Sequence, residues 1–252
     1  MGYPCLAETL LMDSGTYEFI EQPHLFLEYG VDGVLAISLA DRMPAKLDEQ
    51  VKSLGVPVVW VNRTPSEGII HVDADEVANG RILARHLIDL GHRHIAYVGK
   101  YSDHYSSHDR PDSIFAELES AGLSTKGVMR SYNPNWHVYD ERTREIDRLL
   151  DLNPRPTAII CNYMSLYNEV VLRVSQRRLR IPQDISLAVF VSASEARHAA
   201  FTCLILPEME MAQHGAQMLV DMMAGKAGES TKPLAGHLQV GKTTTPPPAV
   251  EQ

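Results

Sequence analysis

Gly236 to Thr243, reading Gly-His-Leu-Gln-Val-Gly-Lys-Thr, satisfy the phosphate-loop spacing G-x-x-x-x-G-K-[ST]. The chemistry of that loop needs a helix to follow, whose first amides and dipole hold the phosphates. Thr244, Thr245 and Pro246-Pro247-Pro248 follow instead, so no helix starts. The segment is read as a terminal strand over Leu238 to Val240. A nucleotide-hydrolysing enzyme is the rival reading, and failure of the intact chain to bind ATP would end it. His104 and His108 stand at i, i+4 with Asp103 and Asp109 beside them, a spacing that could grip a metal on a helix. Their surroundings, Tyr101 to Ser107, are polar and read as a solvated loop, so no metal site is expected. His92 and His94 fall on a helix-to-strand turn, where exposure is the expectation. No G-x-S-x-G elbow, H-E-x-x-H pair or G-x-G-x-x-G turn occurs. No catalytic residue and no cofactor are assigned, and the chain is not read as an enzyme.

Aromatic side chains say more by where they fall. Tyr101 and Tyr105 follow a strand ending at Val98, Trp136 and Tyr139 precede a helix, and Tyr163 follows a strand ending at Cys161. Ligands of parallel sheets bind outside the carboxyl ends of strands. Flat rings there stack on sugar faces or bases while polar neighbours hydrogen-bond. The competing reading is that such rings pack beneath loops.

The elements that must position these groups alternate short apolar runs with longer amphipathic ones, the pattern of a parallel sheet with crossover helices. Val31 to Ile37 and Val56 to Val61 read as buried strands. Between them, Leu47, Val51 and Leu54 share one face of a helix that stops at Gly55. Asp75 opens a helix in which Val77, Ala78, Ile82, Leu83, Leu87 and Leu90 recur three or four apart, with Gly91 as its cap. His94 to Val98 is the next strand. Further on, helices are read over Ser113 to Ala121, Glu141 to Leu150, Leu166 to Arg178 and Met209 to Met223, with strands over Pro156 to Cys161 and Ile185 to Phe190. Thr244 to Gln252 are read as a frayed tail.

Composition bounds the partners. Among 252 residues, 23 Lys+Arg against 32 Asp+Glu leave a formal net charge of -9, which gives these residues no overall pull toward nucleic-acid phosphates. A 44% hydrophobic and 22% charged chain is neither disordered nor collagenous. Three cysteines, Cys5, Cys161 and Cys203, form no Cys-x-x-Cys pair, which argues against a disulfide scaffold or a Cys-based zinc site. No stretch approaches the roughly 20 apolar residues of a membrane helix, and the first residues carry no basic, apolar export signal. A cytoplasmic location with no membrane partner is expected.

Several segments together resemble the effector-binding core of LacI-type bacterial transcriptional regulators. They are Val31-Asp32-Gly33-Val34-Leu35, Val56-Pro57-Val58-Val59 leading to Asn62-Arg63, and above all Gly80-Arg81-Ile82-Leu83-Ala84-Arg85-His86-Leu87-Ile88-Asp89-Leu90-Gly91-His92-Arg93-His94-Ile95-Ala96-Tyr97-Val98-Gly99. Pro156 to Cys161 and Leu179 to Ser186 match the second half. The resemblance implies two doubly wound parallel-sheet α/β subdomains, periplasmic-binding-protein-like and joined by a hinge, with a small sugar- or nucleoside-like effector in the cleft. Mapped here, the first subdomain is residues 1–99 plus 207–233, the second 100–206 plus 234–245, and 246–252 a tail. It further implies a non-enzymatic, dimer-forming, allosteric module that meets operator DNA through a helix-turn-helix absent from this chain. The first strand and helix of subdomain one are expected to be missing too, with Gly2 to Ala7 serving as the second strand and the shortened chain poorly soluble or aberrantly associated by itself. A stand-alone sugar-binding protein of the periplasmic type is the alternative.

For the site, the resemblance points to Arg110, whose guanidinium fork suits hydroxyls or carboxylates. Ser113 and Ile114 stand where Gly and Phe are usual. Tyr163-Met164 replace a usual Asn-Asp, Val191-Ser192 an acidic pair, and Leu206 a Gln. Candidate effector contacts are thus Arg110, Asp75 and Ser192 together with the rings of Tyr101, Tyr105, Trp136 and Tyr163. The lost carboxylates predict a more apolar or aromatic effector, or none.

Overall fold

A computed structural model of the chain describes residues 4–7, 28–37, 53, 55–63, 68–100, 104–123, 128–131, 139–197 and 199–248. Its elements run β1 (Val34–Ile37), β2 (Val58–Val61), β3 (His71–Val72), α1 (Glu76–Asp89), β4 (Ile95–Lys100) and α2 (Ser106–Ser120). There follow β5 (Val128–Ser131), α3 (Tyr139–Leu150), β6 (Ala158–Cys161), α4 (Met164–Gln176) and β7 (Ser186–Val191). Last come α5 (Ala193–Ala196), β8 (Thr202–Ile205), α6 (Glu208–Met223) and β9 (His237–Gln239). The helix expected before Gly55 lies outside the described residues apart from Ser53.

The chain forms two compact units. One comprises the described residues up to Asp73 with Glu210–Lys232, and the other those from Ala74 to Met209 and from Pro233 onward. Residues 74–99, assigned by sequence to the first subdomain, pack within the second unit. Their helix α1 buries Leu83, Ala84 and Leu87 in the same cluster as Ile114 and Leu118 of α2.

In the smaller unit β1, β2 and β3 lie side by side, all parallel, with Val34 opposite Val58 and Trp60 opposite His71. Helix α6 lies against them so closely that Cβ atoms would have no room at two glycines. One on Gly215 would stand 2.9 Å from Val61 and 3.0 Å from Leu35, and one on Gly33 would stand 2.9 Å from Leu219. Pro4 to Ala7, expected as part of a strand, carry no strand structure and are exposed. No described strand offers them a ladder, and Pro4 has no N–H to give one.

The larger unit is a six-stranded sheet in the order β5-β4-β6-β7-β8-β9, parallel except for the β8–β9 pair. Alternate residues serve opposite faces, as strand geometry requires. Ile95 and Tyr97 of β4 join α1 and α2 on one side, while Ala96 and Val98 join α3 and α4 on the other. Both faces are thereby covered, which is why these strands read as continuous apolar runs. Strand β8 was not read from the sequence, although Phe201 to Leu206 before Pro207 is an apolar run of the right length. The two-residue β3 and the short β5 were missed as well.

Helix α2 begins at Ser106, not Ser113, and carries Pro111 inside it; the His104–Ser107 region is no solvated loop, since Tyr105 and Ser107 are buried. Proline there has no N–H to give the preceding turn, and its ring crowds the Ser107 carbonyl. His92 is not exposed but fully buried. Its Nε2 meets the Thr245 carbonyl at 2.8 Å and its Nδ1 the Thr157 hydroxyl at 2.9 Å. Thr244 and Thr245 accordingly do not fray. The Thr244 hydroxyl contacts His86 (3.0 Å) and Thr202 (2.8 Å), and the Thr245 carbonyl also accepts from Ser186 (3.1 Å).

Candidate ligand-binding site

The chain runs from β4 to β5 on one side and from β5 across to β6 on the other, so the strand order reverses between β4 and β6. A crevice outside the carboxyl ends at such a reversal is where open α/β sheets bind ligands. Arg110 occupies this place. It projects from α2, and its guanidinium carbon sits 4.7 Å from the ring centroid of Phe190 on β7. Its Nη1 donates to the Oδ1 (3.1 Å) and carbonyl (3.4 Å) of Asn162, the residue after β6. Asn162 itself donates its N–H to the Val98 carbonyl of β4 (2.9 Å). One side chain thus ties the end of β6 to β7, and Asn162 carries the link on to β4.

The rest of the guanidinium is engaged by Glu76 in the first turn of α1. Nε donates to Glu76 Oε2 at 2.6 Å and Nη2 to Oε1 at 2.5 Å, the bidentate geometry that makes arginine–carboxylate pairs strong. The pair is secluded, with side-chain exposures of 8% for Arg110 and 1% for Glu76. Burial works against the charge of Arg110, but the Glu76 carboxylate more than offsets it and holds the guanidinium proton still more firmly. Asn79 completes the assembly. Its Nδ2 donates to Glu76 Oε2 (3.1 Å), and its Oδ1 accepts the N–H of Gly236 (2.7 Å).

The other residues singled out by sequence fall into this neighbourhood in different ways. Asp75 is the N-cap of α1, accepting the Ala78 N–H at 2.8 Å, as helix-start chemistry demands. Tyr105 is buried, and its hydroxyl accepts the Ala74 N–H at 3.1 Å; its ring is a structural brace. Tyr163 is the half-buried N-cap residue of α4 and packs on the core beneath. Ser192 caps α5 in a reciprocal capping box with Glu195. Tyr101 and Trp136 lie outside the described residues.

Sequence reading missed Glu76, Asn162, Asn79 and Phe190. A glutamate in a first helical turn looks like an ordinary complement to the helix dipole. Asn162 alone carried a signal, a polar residue directly after a buried strand in a parallel sheet.

Two other features take no part. The phosphate-loop spacing resolves into strand β9 and a bend whose amides are already engaged. Gly241 donates to Thr202 Oγ1 (3.0 Å) and Lys242 to the Ala200 carbonyl (2.6 Å), so the loop presents no phosphate cradle. An open groove of about 560 Å³ along α1, lined by Arg81, Arg85, Glu117 and Leu238 among others, includes none of the candidate residues. Among the described residues no cluster of three metal-ligating side chains occurs, and no helix is long and apolar enough to cross a membrane.

The family model of periplasmic binding protein-like domains matches residues 84–244. The HTH-type transcriptional regulator CelR of Thermobifida fusca is 32% identical over 220 residues, covering 83% of this chain and 62% of the relative. The HTH-type transcriptional repressor PurR of Aliivibrio salmonicida is 22% identical over 233 residues, covering 88% and 67%. The solved complex of the regulator CelR with cellobiose superposes with a TM-score of 0.71 at 27% identity, over 89% of this chain and 70% of that one. A LacI transcriptional regulator from a Rhodococcus species gives 0.73 at 22%, over 90% and 82%, a likeness of fold. The chain spans 62% of the length of the Thermobifida regulator.

Proposed function

Since the chain belongs to the family of periplasmic binding protein-like domains, we propose that it is the effector-sensing domain of a bacterial transcriptional regulator of the LacI type. It takes a small sugar- or nucleoside-like molecule at the carboxyl ends of β4, β6 and β7. Occupancy of that site controls operator binding by a helix-turn-helix outside these 252 residues. The observation that carries the reading is the buried Arg110 assembly at the strand-order reversal, in a chain whose relatives are transcriptional regulators. Such a protein acts in the cytoplasm as a homodimer. An effector with more binding free energy for one conformation than another shifts the equilibrium toward it, and operator affinity follows reciprocally.

The relative solved with cellobiose makes an uncharged saccharide the first probe. The replacement of carboxylate positions by Met164 and by Val191-Ser192 favours a ligand with an apolar or aromatic face over a bare hexose. Thermal-shift titration and calorimetry of the chain against cellobiose, glucose, adenosine and hypoxanthine test this. A saturable rise in melting temperature with one of them, abolished by Arg110→Ala in a variant that still folds, is the expected outcome. Silence across the panel overturns the assignment of ligand class. Tight glucose binding would overturn the preference for an apolar face.

A further inference from the structure

The bidentate contact between Glu76 and Arg110 joins residues 34 apart in sequence, and it leaves the arginine of the strand-end site electrically matched. Nε and Nη2 face the Glu76 carboxylate, Nη1 faces Asn162, and one face of the guanidinium lies on Phe190. An incoming carboxylate or phosphate would therefore meet a neutral pair in place of an open cation. It would also bring a second negative charge close to Glu76 where water is scarce, and like charges repel far more strongly there than in bulk water.

We propose that Glu76 is a specificity-determining residue, which by occupying the guanidinium of Arg110 makes the site refuse anionic effectors and accept uncharged ones. This inference rests on the effector reading given above and adds to it the charge class of the ligand and the residue that sets it. The surroundings point the same way. Asp75 stands beside Glu76 in sequence and caps the same helix. The carboxyl of Asp109 is held above its ordinary range by partial burial and by the charges of Glu76, Asp112 and Asp75, against the pull of His108. Glu208 lies close enough to Arg110 to feel its charge, while partial burial and Glu195 hold its carboxyl up. The field about Arg110 is acidic on several sides, which suits an uncharged molecule and disfavours a phosphorylated or carboxylated one.

Inorganic phosphate is the test probe, because it asks about the arginine without needing the natural effector. Glu76→Gln keeps the shape of the side chain and removes its charge. Phosphate should bind this variant at least about tenfold more tightly than the unaltered chain, by calorimetry and by a rise in melting temperature. Glu76→Asp should stay unresponsive, and Glu76→Gln combined with Arg110→Gln should lose the gain. Phosphate binding by the unaltered chain that Arg110→Gln removes overturns the proposal, and so does a Glu76→Gln variant that gains nothing. If Glu76→Gln does not fold, the Arg110 Nε–H resonance of the unaltered chain decides. It should stay fixed as phosphate is added, and a saturable shift overturns the proposal. Failure of the effector reading shows separately, as silence of the unaltered chain toward cellobiose, glucose, adenosine and hypoxanthine.

Discussion

His92 is a residue whose protonation state follows from its partners. A carbonyl only accepts, so Nε2 must carry a proton toward Thr245, which leaves Nδ1 to accept from the Thr157 hydroxyl at 2.9 Å in competition with the His94 carbonyl at 3.3 Å. The neutral ring is satisfied on both sides. Burial lowers its pKa from the ordinary 6.5, with His86 adding to the effect and the Thr245 carbonyl opposing it; burial likewise lowers that of His86. The folded state thus binds fewer protons than the unfolded chain. Its stability is complete above the ordinary histidine value and is lost as pH falls through 6.5 toward the folded value. His92→Gln should therefore make the fall in stability between pH 7 and 5 shallower, by at most about 1.4 kcal/mol per pH unit for the one proton removed. Urea denaturation across that range measures it, and an unchanged slope would mean that His92 does not take up a proton on unfolding. Sequence placed His92 at a turn and expected exposure, because nothing local announces that a terminal segment will cover it. Arg110 was singled out from the sequence, but its partner was not. Glu76 carries the same letters as any glutamate that begins a helix, and only the packing of α1 against α2 turns it inward.

At the scale of elements, that packing depends on one position. A Cβ on Gly80 would stand 2.5 Å from the Arg110 carbonyl oxygen and closer still to the Ser113 hydroxyl, so α1 and α2 cross with only a glycine between them. Gly80→Ala must push the helices apart, and with them Glu76 and Arg110. Overpacking of this kind costs about 1–3 kcal/mol. The variant should melt at lower temperature, and the Arg110 Nε–H resonance should move; an unaltered melt would show that α2 can yield without loss. The opposite layer is tied differently. Arg142 and Thr143 of α3 meet the buried Glu169 of α4, and Arg173 of α4 with Arg177 just past its end meet Asp147 of α3. Helix α1 was legible in full, since its cap Asp75, its apolar spacing and its stop at Gly91 are local signals. Gly91 adopts the left-handed φ of +96° and its N–H reaches the Ile88 carbonyl while that of His92 reaches Leu87, the pattern glycine allows after a helix. Helix α2 was half legible, because Pro111 reads as a boundary although the helix runs through it. Strand β8 was lost for want of a turn signal before Phe201.

Taken as a whole molecule, the chain is two parallel-sheet units in which the amino-terminal part of α6 belongs to one and the rest to the other. That architecture was foreseen through the family's distinctive segments more than through periodicity, which gave strands and helices but not their grouping. Residues 74–99 show the limit: their pattern is plain, yet which neighbours they join depends on contacts with α2 and β6 that sequence spacing does not encode. The net charge of -9 sets a prediction at the same scale. The 252-residue chain alone should show no measurable affinity for duplex DNA of operator length at about 0.15 M salt, in fluorescence anisotropy, because it offers no excess of cations to displace counterions. Retention of DNA by these residues would place a contact surface where none is expected.

The threonine pair at positions 244 and 245 has a practical corollary. A proline run directly after it tempts one to trim the chain at Thr243, and doing so would strip the acceptor from a ring nitrogen sealed inside the protein. Leaving that donor orphaned costs about 1–3 kcal/mol, and the far end of the helix that carries Glu76 would come loose with it. A shortened version should therefore exchange its Leu87 and His92 amide hydrogens markedly faster than the intact one, and equal rates would show that the last few residues are ornamental.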